Sequence, residues 1–329
     1  MKVGVLQFFG WRDRSIPLED VYDRALARID VMDRTGYDAV WLAEHHFTGY
    51  SVCPSVHVMA THIAARTQNL RIGTAVTLAP FYHPLRIAEE VALLDVLTGG
   101  RVNWGAGRGF DPREFAIFDV PAEESTDRFR EAVEIVLAAW THERLTYDGR
   151  FHRYEDVEVL PKPHQRPHPP TWVAASSPGA VEWAASRGHS ILMDPHSAHH
   201  EIARKFTLYT DGLEKAGHEL GRRSTPMGRL VAVAETDAEA EAIARRGAKW
   251  TAGAYIPKEA LAHFRSDQQP VDPVDHYLDE VVIHGSPERV VDTLHRLEEE
   301  MPLGYLLLSP LSEKTFGLFT DRVLPHVAG

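Results

Sequence analysis

The chain has 329 residues, 44% of them hydrophobic, which is enough for one large core or two modest ones. Asp and Glu outnumber Lys and Arg by 47 to 35, and the resulting net charge of −12 disfavours nucleic acid and anionic membrane surfaces as partners. The single cysteine, Cys53, excludes an internal disulfide, and because neither a signal peptide nor a membrane-spanning run is apparent, we expect a cytoplasmic protein.

Short runs rich in Val, Ile and Leu alternate with longer amphipathic segments along the chain. The predicted strands are Lys2–Phe8, Ala39–Ala43, Leu70–Val76, Val102–Ala106, Thr171–Ala175, Ser190–Met193, Gly228–Ala234 and Gly304–Leu308. The predicted helices are Leu18–Thr35, Ser55–Thr67, Pro84–Leu97, Ser125–Thr141, Ala180–Arg187, His199–Ala216, Ala238–Trp250, Pro287–Met301 and Glu313–Val327. Eight such repeats with continuously apolar strands indicate parallel strands buried on both faces. We therefore predict an α/β fold, a (β/α)8 TIM barrel in one domain over residues 1–329, with an open doubly wound sheet as the alternative.

Two connections are too long to be simple turns. Leu145–Pro170 alternates apolar and polar residues around Asp148-Gly149, which predicts a hairpin insertion followed by a proline-rich crossing. Ala252–Pro287, after the seventh strand, has several prolines and weak periodicity, which is typical of a long mobile loop or lid.

Acid and histidine side chains follow the second strand as Glu44, His45 and His46. In a (β/α)8 barrel the carboxyl ends of the strands meet at the face where active sites form. Adjacent histidines rarely both bind one ion, and no H-E-x-x-H spacing occurs. The spacing in "HSAHH" (His196–His200) suits a metal, but we expect a solvated helix start there and predict no metal. Acid/base work by one histidine and a satisfied buried polar cap both remain open.

The stretch "GGRVNWGAGRGF" ends the fourth strand with glycines at 105, 107 and 109. Alternate glycines leave one edge of the backbone bare, so a flat ligand is expected to approach closely. Arg108 suits a bidentate grip on phosphate, although a surface arginine at a tight strand exit explains the pattern equally well. The G-x-G-x-x-G spacing of dinucleotide loops is absent.

Two serines, Ser176 and Ser177, stand between the fifth strand and a helix that begins with Pro178-Gly179. A serine at this place is either an ordinary N-cap or part of an anion site, since backbone N–H groups are exposed at a helix start. The sequence alone leaves both open.

Taken together, these blocks resemble the bacterial luciferase family of flavin-dependent monooxygenases. "GYDAVWLAEHHFTGY" resembles the family's second-strand block, "LRIGTAVTLAPFYHPLRIAEEVALLDVLTGGRVNWGAGRG" the third and fourth, and "VAASSPGAVEWAA" the fifth. The resemblance runs from Met1 to about Pro195, then weakens through Lys249-Trp250 and "GSPERVV". It implies the barrel fold and a flavin cofactor.

The resemblance also implies roles for individual residues. His45 matches the catalytic histidine, which assists formation and breakdown of a C4a-hydroperoxyflavin. Arg108 and Ser177 match residues that hold the FMN phosphate, and Ala75-Val76 matches a position beneath the isoalloxazine where a non-prolyl cis peptide occurs in the family. The remaining expected site residues are Glu44 and His46 beside His45, Gly107, Ser176 and Asp194 at the cofactor, and Phe9, Trp11, Phe81, His83 and Trp250 at the substrate or lid.

The departures from the family concern light emission. The catalytic luciferase subunit has a cysteine where this chain has Gly107, an acid at Ser176 and a threonine at Ala180, so we expect no light. The chain keeps the histidine and the long loop, which the non-catalytic luciferase subunit lacks. This favours an active enzyme.

The implied function is a two-component monooxygenase. Reduced FMN, supplied by a separate NAD(P)H:flavin reductase, reacts with O2 through a C4a-(hydro)peroxyflavin and oxygenates a small organic substrate, apolar or aromatic. The resemblance implies a homodimer through helices Ser55–Thr67 and Pro84–Leu97, whose aliphatic content suits a buried helix face. The alternatives are a deazaflavin-dependent hydride-transfer oxidoreductase and a non-catalytic flavin-binding partner subunit.

Overall fold

The computed structural model describes residues 1–221, 224–255, 265–266, 269–270 and 272–329. The strands are β1 (Lys2–Gln7), β2 (Ala39–Leu42), β3 (Arg71–Thr74), β4 (Thr77–Leu78), β5 (Val102–Gly107), β6 (Leu145–Asp148), β7 (Arg153–Val157), β8 (Thr171–Ala174), β9 (Ser190–Leu192), β10 (Pro226–Val233), β11 (Arg265–Ser266), β12 (Gln269–Pro270), β13 (Ile283–Gly285) and β14 (Tyr305–Pro310). The α-helices are α1 (Leu18–Arg34), α2 (Val56–Ala64), α3 (Pro84–Leu97), α4 (Pro112–Ile117), α5 (Ser125–Thr141), α6 (Pro178–Ser186), α7 (His199–Lys215), α8 (Asp237–Tyr255), α9 (Pro273–Glu280), α10 (Pro287–Glu300), α11 (Glu313–Leu318) and α12 (Leu324–Val327). Shorter turns of 3-10 or π helix lie at Ala79–Phe81, Ala122–Glu124 and Phe319–Val323.

The chain divides into two compact units. The N-terminal unit comprises Gln7–Arg34 and Ala39–Ala174, and the C-terminal unit comprises Met1–Leu6, Thr35–Asp38 and Ala175–Gly329. A single domain over residues 1–329 stays a prediction.

The sheet of the N-terminal unit is parallel, with the strand order β2-β3-β5-β8 and with β4 paired to β5. Every residue of β2 and β5 is buried, as expected of strands covered on both faces. Trp41 and Trp104 are fully buried, and their rings meet those of Trp172 and Trp140 edge to face at 5.1 Å each. Large aromatic rings thus form the centre of this core.

The sheet of the C-terminal unit is parallel as well. β14 lies between β1 and β10, β13 adds to β10, and β9 joins β10 through a bridge between Met193 and Met227. All eight residues of β10 are buried. Four strands of the described C-terminal unit, β1, β9, β10 and β14, match predicted barrel strands and β13 is additional, so together with β2, β3, β5 and β8 the predicted (β/α)8 class of α/β fold is confirmed.

Three connections differ from, or add to, the prediction. The predicted third strand is split into β3 and β4 at Ala75–Val76, where the non-prolyl cis peptide bond that the resemblance implies is present. β6 and β7 pair antiparallel, so a hairpin lies within Leu145–Pro170. Ala252–Pro287 is not one irregular loop, because it contains the end of α8, all of α9 and the strand β13. These elements are too short, and too close to prolines, to show a period. The rest of that predicted loop, at 256–264, 267–268 and 271, lies outside the described residues.

Among the described residues, no helix is both long enough and apolar enough to cross a lipid bilayer.

Candidate active site

Glu44, His45 and His46 directly follow the buried strand β2. The His45 N–H donates to the carbonyl of Cys53 at 3.2 Å. The His46 N–H donates to the side chain of Glu114 at 2.9 Å. The backbone on both sides of His45 is therefore held by partners from elsewhere in the N-terminal unit.

Glu44 and His46 form a buried pair in which His46 Nε2 lies 2.9 Å from Glu44 Oε1. The same oxygen accepts the hydroxyl of Tyr82 at 2.9 Å, and Glu44 Oε2 accepts the N–H of Leu78 at 3.3 Å. Burial, together with the charge of Glu44, raises the pKa of Tyr82, so this hydroxyl stays protonated and donates. The pair thus links the end of β2 to the segment after β4.

His45 is half-buried and sits among aromatic rings. The ring of Phe8 stacks on it with centroids 6.0 Å apart, and Tyr50 and Phe110 meet it edge to face at 5.0 and 6.3 Å. Rings on several sides limit the water around an imidazole and restrict its rotation. The arrangement suits a group that exchanges protons with a bound molecule rather than with bulk solvent.

A second group of rings lies beside His46. Phe118 meets the imidazole at 4.8 Å, Phe81 stacks on Phe118 at 4.8 Å, and Phe47 lies 5.3 Å from Phe118. Phe47 is 54% exposed and Phe118 is 36% exposed. Exposed aromatic rings next to a buried acid and histidine form an apolar face that suits an organic substrate.

The glycines at the end of β5 serve a different purpose from the predicted one. A Cβ on Gly105 would lie 2.0 Å from the carbonyl oxygen of Thr74, and one on Gly107 would lie 2.2 Å from Cγ2 of Val76. The bare edge is therefore filled by the chain's own β3–β4 segment, and the interpretation that it leaves room for a ligand is wrong at these two positions. The glycines instead let β5 approach the cis Ala75–Val76 bond closely.

Arg108 is exposed at the end of β5. Its Nη1 donates to Oγ of Ser125, the first residue of α5, at 3.1 Å. An exposed guanidinium can bind a phosphate through two parallel N–H groups. The donor set therefore fits a phosphate.

Ser177 caps α6, with its Oγ accepting the N–H of Ala180 at 3.3 Å. Both Ser176 and Ser177 are exposed. The predicted N-cap is confirmed, whereas a contact with phosphate stays a prediction.

The carboxylate of Asp194 makes its hydrogen bonds within the loop after β9 and with Lys205 of α7. Oδ1 accepts the N–H groups of His196 and Ser197, and Oδ2 accepts the Ser197 hydroxyl and Lys205 Nζ at 2.9 and 3.0 Å. Burial opposes ionisation, but Lys205 and these hydrogen bonds outweigh it and lower the pKa of Asp194 to about 2. The observed role is to shape the loop, and a contact with the cofactor stays a prediction.

Of the histidines of "HSAHH", His200 is exposed in the first turn of α7 as expected of a solvated helix start, whereas His196 and His199 belong to a buried polar network. Arg229, which is fully buried, donates from Nε to His199 Nδ1 at 3.1 Å. His196 Nδ1 lies 3.1 Å from the hydroxyl of Tyr277. Burial lowers the pKa of His196 to about 4, and burial with the charge of Arg229 lowers that of His199 to about 3, so both are neutral at pH 7. In the described part of the chain no group of acids, cysteines and histidines could hold a metal.

The expected substrate residues fall into different surroundings. Phe9 is wholly buried against Tyr22, so the prediction that it faces the substrate is wrong. Trp11 donates its indole N–H to the carbonyl oxygen of Ile16, and the guanidinium of Arg14 lies over its ring. The structure also places His83 at the N-cap of α3, near Tyr154 of the hairpin, and half-buried Trp250 within α8.

Sequence reasoning missed Glu114, Tyr82 and Arg229 as members of polar networks. Each is buried or half-buried by residues remote in the chain, and Glu114 is 68 positions from its partner His46. The one local signal for Glu114 is the Asp111-Pro112 start of a short helix that turns Glu114 and Phe115 inward. Cys53 is also buried, and burial with the charge of Glu44 raises the pKa of its thiol to about 12, which leaves it unreactive.

A family model described as luciferase-like monooxygenase matches residues 1–302. Among curated relatives, the oxygenase component of the flavin-dependent trigonelline monooxygenase of Acinetobacter baylyi is 28% identical over 229 residues, 69% of this chain and 63% of the relative. The chain spans about half to two-thirds of the length of the first curated relatives that it matches.

Solved structures match over nearly the whole chain. The monooxygenase RslO1 from Streptomyces bottropensis has a TM-score of 0.82 at 28% identity, with 100% of both chains covered. The oxygenating constituent of 3,6-diketocamphane monooxygenase from Pseudomonas putida, in complex with FMN, has a TM-score of 0.83 at 20% identity, covering 99% and 98%. An F420-dependent secondary alcohol dehydrogenase has a TM-score of 0.79 at 18% identity, covering 100% and 99%. The last two show a shared fold.

Proposed function

The chain belongs to the luciferase-like monooxygenase family, and from this premise we propose that it is the oxygenase of a two-component, FMN-dependent monooxygenase. The observation that carries the proposal is the placement of His45, half-buried among aromatic rings at the end of β2 and beside the Glu44–His46 pair. The substrate is a small organic molecule, apolar or aromatic, bound against the exposed rings of Phe47 and Phe118.

The residues of the N-terminal unit fit reduced FMN. Arg108, exposed at the end of β5 and bonded to Ser125 of α5, would hold the phosphate, while the Ala75–Val76 segment packed against Gly107 would support the flat ring system. The chemistry that reduced FMN supplies is the two-electron reduction of dioxygen, which places one oxygen atom on the substrate and the other in water. Ser176, Ser177 and Asp194 stay predicted cofactor contacts.

His45 supplies the proton chemistry. An imidazole gives or takes a proton at a ring nitrogen near neutral pH, and the surrounding rings of Phe8 and Phe110 keep bulk water from competing. Glu44 and His46 do not reach the reacting atoms in this scheme. They fix the turn that carries His45.

The partners follow from the same proposal. The relative from Acinetobacter baylyi is named as an oxygenase component, so a separate NAD(P)H:flavin reductase in the cytoplasm is proposed to supply reduced FMN here too. The exposed apolar side chains of α2 and α3, Val58, Leu93, Val96 and Leu97, are proposed to form the interface of a homodimer. Light scattering should show a dimer that Val58→Glu with Leu97→Glu converts to a monomer. Leu160→Glu, at an exposed apolar position of the hairpin region, is the control and should stay dimeric.

The test of cofactor and reaction combines binding with turnover. Reduced FMN is titrated anaerobically, oxygen is then admitted, and flavin absorbance is followed by stopped flow beside assays for hydrogen peroxide. We expect binding, reoxidation in two resolved phases, and less peroxide when an accepted organic substrate is present. Absence of FMN binding in the wild type contradicts the proposal, and hydride transfer with reduced F420 instead favours the deazaflavin alternative, whose fold is shared.

The phosphate grip has a sharper test of its own. Arg108→Ala should weaken binding of reduced FMN about tenfold or more and leave binding of riboflavin, which lacks the phosphate, unchanged. Arg144→Ala, at an exposed arginine of the hairpin, is the matched control. If Arg108→Ala weakens the binding of FMN and of riboflavin equally, Arg108 does not bind the phosphate.

A further inference from the structure

Glu114 is a buried carboxylate whose only local sequence signal is the start of its short helix. It lies in α4, which starts at the N-cap Asp111 and turns Glu114 and Phe115 inward while Arg113 and Ile117 stay exposed. Only 2% of Glu114 is exposed. A carboxylate at this depth is costly unless its oxygens are used.

The Glu114 carboxylate has one contact that explains its burial. Oε1 accepts the backbone N–H of His46 at 2.9 Å, a charge-assisted bond. Burial raises the pKa of Glu114, and the bond from His46 opposes this rise. Glu44 holds the His46 ring, whereas Glu114 holds its backbone.

The bonded N–H belongs to the peptide that joins His45 to His46. Because a peptide is planar, fixing the N–H of His46 also fixes the carbonyl of His45. The peptide on the other side of His45 is fixed by its own N–H, which donates to Cys53 at 3.2 Å. Both peptide planes that flank His45 are therefore anchored, and the direction in which its side chain leaves the backbone is set.

We propose that Glu114 is a positioning residue, whose carboxylate orients the peptide between His45 and His46 and so holds the His45 imidazole where it exchanges a proton with bound reactants. The inference rests on the proposed function, in which His45 does that work. The positioning role depends mainly on the distance between the acceptor oxygen of Glu114 and the His46 N–H, and less on the charge of the side chain.

Two substitutions separate reach from charge. Glu114→Gln keeps an acceptor oxygen at the same distance and removes the charge. Glu114→Asp keeps the charge but withdraws the acceptor by about 1.5 Å, the length of one carbon–carbon bond. Glu123→Gln, at an exposed glutamate before α5, controls for loss of charge near the site.

The first measurement needs no cofactor. In protein labelled with 15N-histidine, the amide proton of His46 should resonate downfield, move upfield in Glu114→Gln only as far as it does when the wild-type carboxyl group is protonated, and move farther upfield in Glu114→Asp. Its shift should titrate with the carboxyl group in the wild type and lose that titration in Glu114→Gln. An amide signal unchanged in Glu114→Asp overturns the contact on which the proposal rests.

The second measurement is turnover with reduced FMN and oxygen. Glu114→Asp should lower kcat at least tenfold with KM changed less than threefold, while Glu114→Gln and Glu123→Gln stay within threefold of the wild type. Thermal denaturation of each variant shows whether it is folded. If Glu114→Gln loses as much turnover as Glu114→Asp, or if neither loses any, the positioning role is wrong. Lack of oxygenation by the wild type refutes the proposed function, whereas the amide measurement still decides whether Glu114 holds the His46 backbone.

Discussion

Histidines next to an acid follow a parallel strand in each of the two units, and the two clusters behave differently. In the N-terminal unit, Glu44 binds the ring of His46 and leaves His45 among aromatic side chains. In the C-terminal unit, a buried arginine holds His199, and Tyr277 holds His196. Similar sequence patterns thus give one cluster suited to proton exchange and another that serves as internal structure.

The difference lies in the neighbours rather than in the histidines. His199 Nδ1 accepts from Arg229, so its proton is carried on Nε2, and the adjacent cation disfavours a second charge. The rings packed around His45, in contrast, belong to the uncharged side chains of Phe8, Tyr50 and Phe110. A histidine at the end of a barrel strand is therefore a catalytic candidate only after its partners are known.

The largest expected effect concerns His45. His45→Ala should lower kcat about 100-fold or more, because it removes the proposed general acid/base, while the unfolding transition stays close to that of the wild type. Steady-state turnover with reduced FMN, oxygen and an accepted substrate measures this. The proposed difference between the two clusters is contradicted if His45→Ala keeps full turnover, or if His199→Asn in the other cluster lowers kcat as much as His45→Ala does.

The next effect is on stability and concerns Arg229. Arg229→Met keeps much of the buried volume but leaves His199 Nδ1 and the carbonyls of Asp194 and Gly228 without a donor. We expect the free energy of unfolding to fall by about 3 kcal/mol, with turnover per folded molecule unchanged. Urea denaturation checks it against Arg322→Met, at an exposed ion-paired arginine of the same unit. Equal urea midpoints for the wild type and Arg229→Met would contradict the structural role of the second cluster.

Because of the histidines in the same cluster, we expect the free energy of unfolding to depend on pH. His196 and His199 have pKa values near 4 and 3 in the folded protein, against an ordinary value of 6.5, so the unfolded chain binds more protons between pH 6.5 and 4. Their stabilising effect is fully present above pH 6.5 and is lost as the pH falls. His199→Asn keeps an acceptor for Arg229 and removes one titrating group, which should reduce the loss between pH 6.5 and 4 by about 3 kcal/mol. Urea midpoints across this range that fall as steeply in His199→Asn as in the wild type exclude His199 as the source.

The smallest effect concerns His200, the last histidine of "HSAHH". It is exposed and lies 3.3 Å from Glu280, an arrangement typical of a surface pair with little energetic weight. His200→Ala should change the free energy of unfolding by less than about 0.5 kcal/mol and leave turnover unaltered. A larger shift in the urea midpoint indicates that the second cluster extends to the surface.

Much of the fold was predictable because it depends on local patterns. The boundaries of α3 and α5 are those predicted, since their periods are regular and α3 begins at a proline. β13 and α9 were missed because a three-residue strand and an eight-residue helix leave too few residues for a period to show. The third strand was predicted too long because its apolar run continues through Ala75–Val76, and only the family resemblance indicated the cis bond there.

The sequence by itself determined the alternation of parallel strands and helices and the position of Glu44, His45 and His46 at the end of a buried strand. These features depend on contacts within a few residues, which a pattern records. Only the tertiary structure decided that Thr74 and Val76, rather than a ligand, pack against Gly105 and Gly107. It also decided that Glu114 binds the backbone N–H of His46, next to His45. Arg229 occupies His199 Nδ1 and so gives that histidine a structural role. Burial and hydrogen-bond partners come from residues distant in the chain, and they set the ionisation and freedom of each side chain.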